Sequence, residues 1–329
     1  MKQYFFLLCL CFSFIAPSKA QIKNKLSLPL EAIWNGYFDE RKLNVRMMHN
    51  SNRFAFIEAN SETNNELILS LDFETGKLID TVFNNQIKVE GDTTPITFSY
   101  FEDFEFSPDD SRILIKSKAE RLYNNSTKEA CYIWDTKLKN IKPVSTKGLQ
   151  SYVTFSPDSK KIAFINNYNL YIKNLLTEEI KQVTVDGKAN FASYGAANPL
   201  YENGFGLAQM FKWSVDGEKI AFARFDESNV KIFPVGIFGD AYSEVNNYSY
   251  PLSGEAIPKV DVYVYNVKYE VLTKIDLGVN PNQYITGFTW NNDGSTLFVQ
   301  RLNRKQTLLE IGCRYKKWQY ESIAQRNKT

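Results

Sequence analysis

Hydrophobic and polar residues alternate along most of the chain, in short runs that end at turn residues. Four times an aromatic residue leads into a small polar turn and then into a β-rich run. Such a group predicts a hairpin, because the aromatic residue closes one strand and the turn opens the next. The four copies are Phe106-Ser107-Pro108-Asp109, Phe155-Ser156-Pro157-Asp158, Trp213-Ser214-Val215-Asp216-Gly217 and Trp290-Asn291-Asn292-Asp293-Gly294.

A second type of hairpin lies between these copies. Residues 67–73 alternate, turn at 74–77 and return through 78–83, and similar alternation recurs further along the chain. Two hairpins per repeat make the four-stranded blade of a β-propeller. The predicted fold class is therefore all-β, an incomplete β-propeller of four-stranded blades. It has about four blades plus part of a fifth, near residues 45–83, 102–145, 152–184 and 211–277 and from 284 onward.

Two segments, residues 190–206 and 226–254, break this rhythm. Long insertions between strands are where propellers place binding surface. A solvated loop without a ligand is the equal alternative for both. The sequence shows no sustained helical period in these segments or elsewhere.

Charge and composition narrow the range of partners. The formal net charge is +2, and lysine and arginine are scattered along the chain rather than clustered. A nucleic-acid-binding surface has a clustered basic face, so no nucleic acid partner is expected. The acidic pairs Asp109-Asp110 and Asp226-Glu227 lie in turn contexts and are interpreted as solvated charges.

The N terminus has the pattern of a signal peptide. Lys2 supplies the positive start, residues 4–16 are apolar, and Ser18-Lys19-Ala20 offers small residues for cleavage after Ala20. The apolar run is too short for a spanning helix, although a retained anchor is the alternative. We therefore expect residues 1–20 to be removed and the protein to be periplasmic or extracellular, without membrane attachment. The remaining Cys131 and Cys313 give no disulfide framework.

No catalytic group is apparent. The single histidine, His49, lies in a polar stretch, and no Gly-x-Ser-x-Gly motif occurs. Clustered cysteine and histidine ligands for zinc and a glycine-rich phosphate loop are also missing from the sequence. We therefore expect no catalytic residue, metal or cofactor in this chain.

Several strings resemble the N-terminal propeller region of dipeptidyl peptidase IV-type serine peptidases, of the prolyl oligopeptidase clan. The most specific are Ala-Arg-Phe-Asp-Glu-Ser-Asn-Val at 223–230 and Val-Gln-Arg-Leu-Asn-Arg at 299–304, and the likeness extends over about residues 26–310. The resemblance implies that residues 21–310 form a propeller that gates substrates. It also implies a C-terminal α/β-hydrolase domain with Ser, Asp and His, which this sequence lacks, so we expect the chain to be inactive alone.

The resemblance further implies a peptide site. In the family, two glutamates of an Asp-Trp-Val-Tyr-Glu-Glu-Glu-Phe-Gly stretch bind the free α-amine, and an arginine from another blade contacts the peptide carbonyl. The matching stretch, 198–206, has uncharged residues at both glutamate positions, and the arginine position has an asparagine. Peptides with free N termini are the expected partners if binding persists. The implied substrate-binding residues are Tyr201, Glu202, Asn203, Gly204, Arg121 and Asn124.

The last segment, residues 311–329, departs from the expected hairpin and is interpreted as an aberrant, frame-shifted tail. Under one choice of codons, reading one base earlier restores an Asp-Thr-Lys-Asn-Gly turn. Two functions stay open. The chain is either the propeller part of an exported dipeptidyl peptidase-like enzyme or a stand-alone periplasmic propeller that binds peptides or proteins. The sequence does not predict an oligomeric state.

Overall fold

The computed structural model describes residues 29–37, 45–60, 65–86, 101–237, 242, 244–278, 280, 282–313 and 326–327. The predicted signal peptide and most of the predicted tail lie outside these residues. The chain divides into two compact units, Met1–Leu43 and Asn44–Thr329. In the first unit, helix α1 spans Leu30–Trp34. No helix in the described ranges is long and apolar enough to cross a membrane.

The second unit is built from successive antiparallel sheets whose strands lie in sequence order. Four-stranded sheets of this kind are propeller blades, so the predicted fold class is confirmed. The first three blades contain β1 (Arg46–Met47), β2 (Arg53–Asn60), β3 (Asn65–Asp72) and β4 (Leu78–Asn84); β5 (Asp103–Phe106), β6 (Arg112–Arg121), β7 (Thr127–Asp135) and β8 (Asn140–Pro143); and β9 (Ser151–Phe155), β10 (Lys161–Asn166), β11 (Asn169–Asn174) and β12 (Ile180–Gln182).

The fourth and fifth blades follow the same plan with additions. The fourth is a five-stranded sheet, and a separate two-stranded hairpin, here called the arm, is formed by β16 and β17. These elements are β13 (Ala192–Tyr194), α2 (Pro199–Phe205), β14 (Phe211–Trp213), β15 (Lys219–Asp226), β16 (Ile232–Ile237), β17 (Glu244–Ser249), β18 (Lys259–Asn266) and β19 (Val271–Lys274), followed by β20 (Gln283–Trp290), β21 (Leu297–Asn303), β22 (Leu308–Cys313) and β23 (Arg326–Asn327).

Each of the four aromatic residues ends the first strand of its hairpin, as the sequence predicts. In the third blade, Ser156 Oγ donates to Asp158 Oδ1 at 2.6 Å and accepts from the Lys161 N–H at 2.9 Å. The serines of the second and fourth blades make the same two contacts. Burial alone would raise the pKa of Asp158, but hydrogen bonds from Ser156 and Lys161 outweigh it and hold that pKa below its usual value.

A basic side chain links each of three turns to the turn of the next blade. In each case the side chain donates to the backbone carbonyl of a residue in the next turn, and that residue has a positive φ. In the fifth blade the same position is Thr296, which carries no charge. The three contacts run from Arg112, Lys161 and Lys219 to the carbonyl oxygens of Ser159, Gly217 and Gly294, at 3.4, 3.1 and 3.4 Å respectively.

The first and second blades are joined by a carboxylate instead. Asp110 accepts from the backbone N–H groups of His49 at 2.9 Å and Asn50 at 2.7 Å. His49 is therefore an exposed turn residue whose backbone links two blades. Asp110, interpreted from the sequence as a solvated charge, therefore makes specific contacts with the first blade.

Hydrophobic clusters fill the spaces between consecutive blades, from the first pair to the fourth and fifth. Between the first two blades, Trp134 stacks edge-on against Phe83 at 5.4 Å and donates its indole N–H to the Val82 carbonyl at 2.9 Å. Among the described residues, no such cluster joins the fifth blade to the first. The described part of the propeller is thus a row of blades packed in sequence.

The segment 190–206, expected to lie outside the blades, interrupts a strand of the fourth blade. Strand β15 pairs with β14 along Ile220–Phe222 and with β13 along Arg224–Asp226. Two short strands therefore fill the place of one first strand, and residues 195–210, with helix α2, are inserted between them. Helix α2 has only seven residues, too few to give the sustained helical period that the sequence lacks. The second insertion carries the arm.

We predict that Ser156→Ala lowers the free energy of unfolding by about 1–3 kcal/mol, because it leaves the partly buried Lys161 N–H without its acceptor. Denaturant unfolding of the purified chain measures the change. Ser253→Ala, at an exposed turn position, is the matched control and should change the value by less than about 0.5 kcal/mol. Equal effects of the two substitutions would contradict the structural role of the Ser156 turn.

Candidate functional site

Helix α2 forms because its sequence carries both a start and a stop signal. Asn198 Oδ1 accepts from the Tyr201 N–H at 3.2 Å, and Pro199 occupies the first turn. At the other end, Gly206 is left-handed, with φ of 66°, and its N–H donates to the Glu202 carbonyl. The segment that carries four of the six predicted site residues is therefore a defined element.

Tyr201 anchors this helix to the propeller. Its side chain is fully buried, and its ring lies edge-on to Phe225 with centroids 4.9 Å apart. Its hydroxyl accepts from the Ile285 N–H of the fifth blade at 3.1 Å. Burial raises the pKa of Tyr201 above its usual value. The structure therefore places this predicted substrate-binding residue in the core between the fourth and fifth blades.

Two of the predicted segments meet although they lie about 80 residues apart. Asn124 Nδ2 donates to Asn203 Oδ1 at 2.6 Å, and Asn203 Nδ2 donates to the Tyr123 hydroxyl at 2.9 Å. Glu202 accepts from the Asn125 N–H at 3.0 Å. The helix and the 122–125 turn of the second blade thus form one surface, which we call the amide surface.

The two remaining predicted residues lie apart from these contacts. Gly204 is exposed on helix α2, and a Cβ atom added there would meet no atom within 4 Å. Arg121 ends strand β6 and is exposed, with its backbone opposite Thr127. The structure therefore brings together Asn124, Glu202 and Asn203, and leaves room for a larger side chain at position 204.

Behind the amide surface lies a cavity of about 270 Å³. Its walls come from the second and third blades, the segment 189–202, the turn after β15 and strand β17 of the arm. Both long insertions therefore contribute to one concave site, which is the arrangement expected of a small-ligand pocket. Its polar and aromatic lining includes Tyr123, Tyr152, Tyr168, Glu202, Glu227 and Tyr248.

Two carboxylates in this cavity are buried. Glu202 is 4% exposed and Glu227 is 7% exposed. Burial raises the pKa of Glu227 to about 7, because it disfavours the charged form and Asp226 adds a like charge, while Asn198 and Ser249 only partly offset this. The interpretation of Glu227 as a solvated turn charge is therefore wrong. The insertions fold over the turn and bury its side chain.

Tyrosine rings stand close to these carboxylates. Burial, and then the nearby charge of Glu202, raises the pKa of Tyr152. Burial and the charge of Glu227 do the same for Tyr168. Sequence reasoning missed Glu227, Tyr152 and Tyr168 as site residues. The only signal for Glu227 was its place in the Arg-Phe-Asp-Glu-Ser string that carries the family resemblance.

Within the ranges that the structure describes, no group of three or more His, Cys, Asp or Glu side chains is arranged to hold a metal ion. Cys131 is buried, and burial raises the pKa of its thiol. The chemistry that the cavity offers is therefore hydrogen bonding, charge pairing and aromatic contact.

Comparison with known proteins places these observations in a family. Residues 107–319 match the family model described as the dipeptidyl peptidase IV (DPP IV) N-terminal region. A probable dipeptidyl-aminopeptidase B of Emericella nidulans is 32% identical over 161 residues, which cover 44% of this chain and 18% of that protein. The corresponding protein of Pyrenophora teres f. teres is 28% identical over 229 residues, covering 62% and 25%. The chain thus spans about a fifth of the length of these relatives.

Solved structures agree with this result. The crystal structure of Porphyromonas gingivalis dipeptidyl peptidase 4 matches with a TM-score of 0.78 and 28% identity, covering 91% of this chain and 41% of that one. A putative dipeptidyl aminopeptidase IV from Bacteroides ovatus has a TM-score of 0.57 at 20% identity, covering 83% and 36%, and supports the fold alone. The resemblance inferred from the sequence is confirmed.

We predict that Tyr201→Phe lowers the free energy of unfolding by about 1–3 kcal/mol, because the buried Ile285 N–H loses its acceptor while the ring packing is kept. Chemical denaturation measures the loss. Tyr269→Phe, at a tyrosine that is 67% exposed, serves as the control and should be close to neutral. A neutral Tyr201→Phe variant would show that the hydroxyl does not anchor the helix.

Proposed function

The chain belongs to the dipeptidyl peptidase IV N-terminal region family, and we propose that it is the substrate-gating propeller of an exported serine exopeptidase. The observation that carries the proposal is the amide surface, where helix α2 meets the 122–125 turn. These are the two segments that the family resemblance assigns to peptide recognition. Their contact supports a peptide-binding role for this surface.

The chemistry of the amide surface differs from that of the family motif. Two carboxylates would pair with a free ammonium, whereas Asn203 and Gly204 carry no charge. Asn124, Asn203 and Tyr123 instead offer neutral donors and acceptors. Such groups bind a peptide backbone through hydrogen bonds but select weakly for its free N terminus. We therefore propose that the amide surface guides peptides with reduced selectivity for the α-amine.

Catalysis, in this proposal, belongs to a hydrolase domain outside the residues of this chain. The one histidine lies in the turn between strands β1 and β2 of the first blade, and the sequence contains no Gly-x-Ser-x-Gly motif. A serine nucleophile needs a base within hydrogen-bond reach. The propeller would therefore select and admit peptides, and the hydrolase would cleave them.

A second function is supported by the same substitutions. The loss of both glutamates is expected if the propeller no longer serves a peptidase and binds peptides or proteins on its own. The two candidates differ in solution behaviour. A stand-alone binding module must be soluble and melt cooperatively, whereas part of a larger propeller has unpaired blade surfaces and tends to aggregate.

We predict that the double substitution Asn203→Glu with Gly204→Glu creates selectivity for a free α-amine. Position 204 has room for the side chain, and position 203 faces the Tyr123 hydroxyl. Isothermal titration calorimetry with Ala-Pro-Ala and its N-acetylated form measures the selectivity. We expect at least tenfold tighter binding of the free form by the double variant, and less than threefold discrimination by the unchanged chain. The Gln-Gln double variant controls for side-chain size, and equal selectivity in both variants would contradict the proposal.

We also predict that the purified chain does not hydrolyse Gly-Pro or Ala-Pro chromogenic substrates, because no activated serine is present. The measurement is release of the chromophore with and without a serine-directed inhibitor. Hydrolysis that the inhibitor abolishes would show that the chain is a complete peptidase.

We predict in addition that the protein is exported and cleaved after Ala20. N-terminal sequencing of protein from the periplasm or medium should therefore begin at Gln21.

A further inference from the structure

Glu227 lies where three elements meet on the wall of the cavity. Its backbone belongs to the turn after β15, and its carboxyl lies beside the Asn198 amide, which caps helix α2, and the Ser249 hydroxyl, which ends strand β17 of the arm. Glu227, Asn198 and Ser249 are 7%, 3% and 1% exposed. We call these three residues the Glu227 junction.

The base of the arm is held at this junction by a few hydrogen bonds. The Ser249 N–H donates to Asn190 Oδ1 at 2.8 Å, and Asn190 Nδ2 donates to the Asn247 carbonyl at 3.1 Å. The Tyr248 hydroxyl donates to the Leu122 carbonyl at 3.1 Å. In the described ranges the two strands of the arm pair only with each other. The base of the arm can therefore separate from the turn without breaking the ladder of a blade.

Glu227 has no basic partner at the junction. No salt bridge reaches it within the described ranges, and Lys128, which also lines the cavity, has its ammonium 2.7 Å from Glu120. Asn198 Nδ2 and Ser249 Oγ lie beside the carboxyl but make no hydrogen bond of standard geometry with a described group. Two neutral donors so placed do not replace the water that an ionised carboxylate loses on burial. The junction therefore suits a neutral carboxyl and disfavours a charged one.

We propose that the Glu227 junction is a pH switch, which holds the arm and the cap of helix α2 over the cavity while Glu227 is neutral and releases them when Glu227 ionises. Separation of the arm from the turn lets water reach the carboxylate, so the ionised group favours the open form. The cavity is then more accessible at higher pH. The inference goes beyond the proposed function, since it requires neither a peptide nor a hydrolase domain.

The direction of the pH effect follows from the two forms of the junction. In the closed form, burial raises the pKa of Glu227 to about 7. In the open form, the hydrated carboxyl has an ordinary pKa of about 4.3. The closed form therefore binds the proton more tightly, so it is favoured at low pH and loses this advantage as the pH rises towards 7. Between these two values the equilibrium constant for opening should rise about tenfold per pH unit.

The other charged and titratable groups around Glu227 come from every element packed against it. Burial would raise the pKa of Asp226, but hydrogen bonds from Ser228 and Arg224 outweigh it and lower that pKa, whereas burial raises the pKa of Tyr168. Neither group therefore changes its charge between pH 5 and pH 7. The full set is Asp226 of the same turn, Tyr168 of the third blade, Lys128 of the second blade, Glu202 of helix α2 and Tyr248 of the arm.

The test is hydrogen exchange of the full chain from pH 5 to pH 8.5, resolved to single amides by mass spectrometry. A protection factor divides the intrinsic exchange rate by the observed one, which removes the pH dependence of the exchange chemistry itself. We expect the protection of the Ser249 and Tyr201 N–H groups, which are bonded to Asn190 and Asn198, to fall about tenfold per pH unit up to pH 7 and then to level off. Strand β2, which does not line the cavity, should not follow this curve.

Variants identify the group that titrates. Glu227→Gln keeps the size of the side chain and is neutral at every pH, so the protection of the Ser249 N–H should no longer depend on pH. At pH 8 this protection should exceed that of the unchanged chain by about thirtyfold or more. Glu244→Gln, at an exposed carboxylate of the same strand, is the matched control and should keep the pH dependence. Glu202→Gln should also keep it.

Several results would overturn the proposal. These are a constant protection of the Ser249 N–H in the unchanged chain between pH 5 and pH 7, the same slope in the Glu227→Gln variant, or an equal slope in strand β2, which would indicate global unfolding. The pH series uses the unchanged chain, so it decides the matter even if a variant fails to fold. No peptide is added in these measurements, so their failure is distinct from failure of the proposed gating function.

Discussion

The contact between turns of neighbouring blades is the constraint on which the rest of the structure depends. Hydrophobic clusters between blades are strong but non-directional, so they do not by themselves fix how one sheet lies against the next. The hydrogen bonds from Lys161 and Lys219 to backbone carbonyls of the following turns are directional. The turns of neighbouring blades also pack closely. A Cβ atom at Gly217, where φ is 67°, would lie 2.9 Å from the Asp158 side chain. Only glycine meets both conditions there.

The positions of helix α2 and of the cavity depend on this alignment of the blades. A seven-residue helix is unstable in isolation, and α2 persists because Tyr201 locks it between the fourth and fifth blades. Once the blades are aligned, the helix reaches the 122–125 turn, and the arm supplies Tyr248, whose hydroxyl donates to the Leu122 carbonyl at 3.1 Å. The cavity forms where these segments close over the blades. Its buried carboxylates therefore reflect packing across three blades rather than any local motif.

The sequence predicted the blades well because their signals are local. Strand alternation, the aromatic end of each first strand and the Ser-Pro-Asp turns lie within a few residues of one another. It did not predict the interrupted strand of the fourth blade, since β13 has three residues and is defined by its pairing with Arg224–Asp226. The cap and stop of α2, Asn198-Pro199 and Gly206, are readable but too short to show a helical period. The buried state of Glu227 depends on two insertions that fold over it, which no local pattern records.

The interrupted strand has an evolutionary consequence. The two ends of the insert are hydrogen-bonded to each other, since the Met210 N–H donates to the Gly195 carbonyl at 2.8 Å. The Gly195 N–H in turn donates to the Ala223 carbonyl of strand β15 at 2.8 Å. The blade ladder therefore continues across the gap whatever the insert contains. Because the entropic cost of closing a loop grows only slowly with its length, a lineage can lengthen, shorten or exchange this segment while the blade stays the same. The insert and the blade are thus separable modules, and a substitution on the exposed side of helix α2, such as at Asn203 or Gly204, leaves the blade ladder intact.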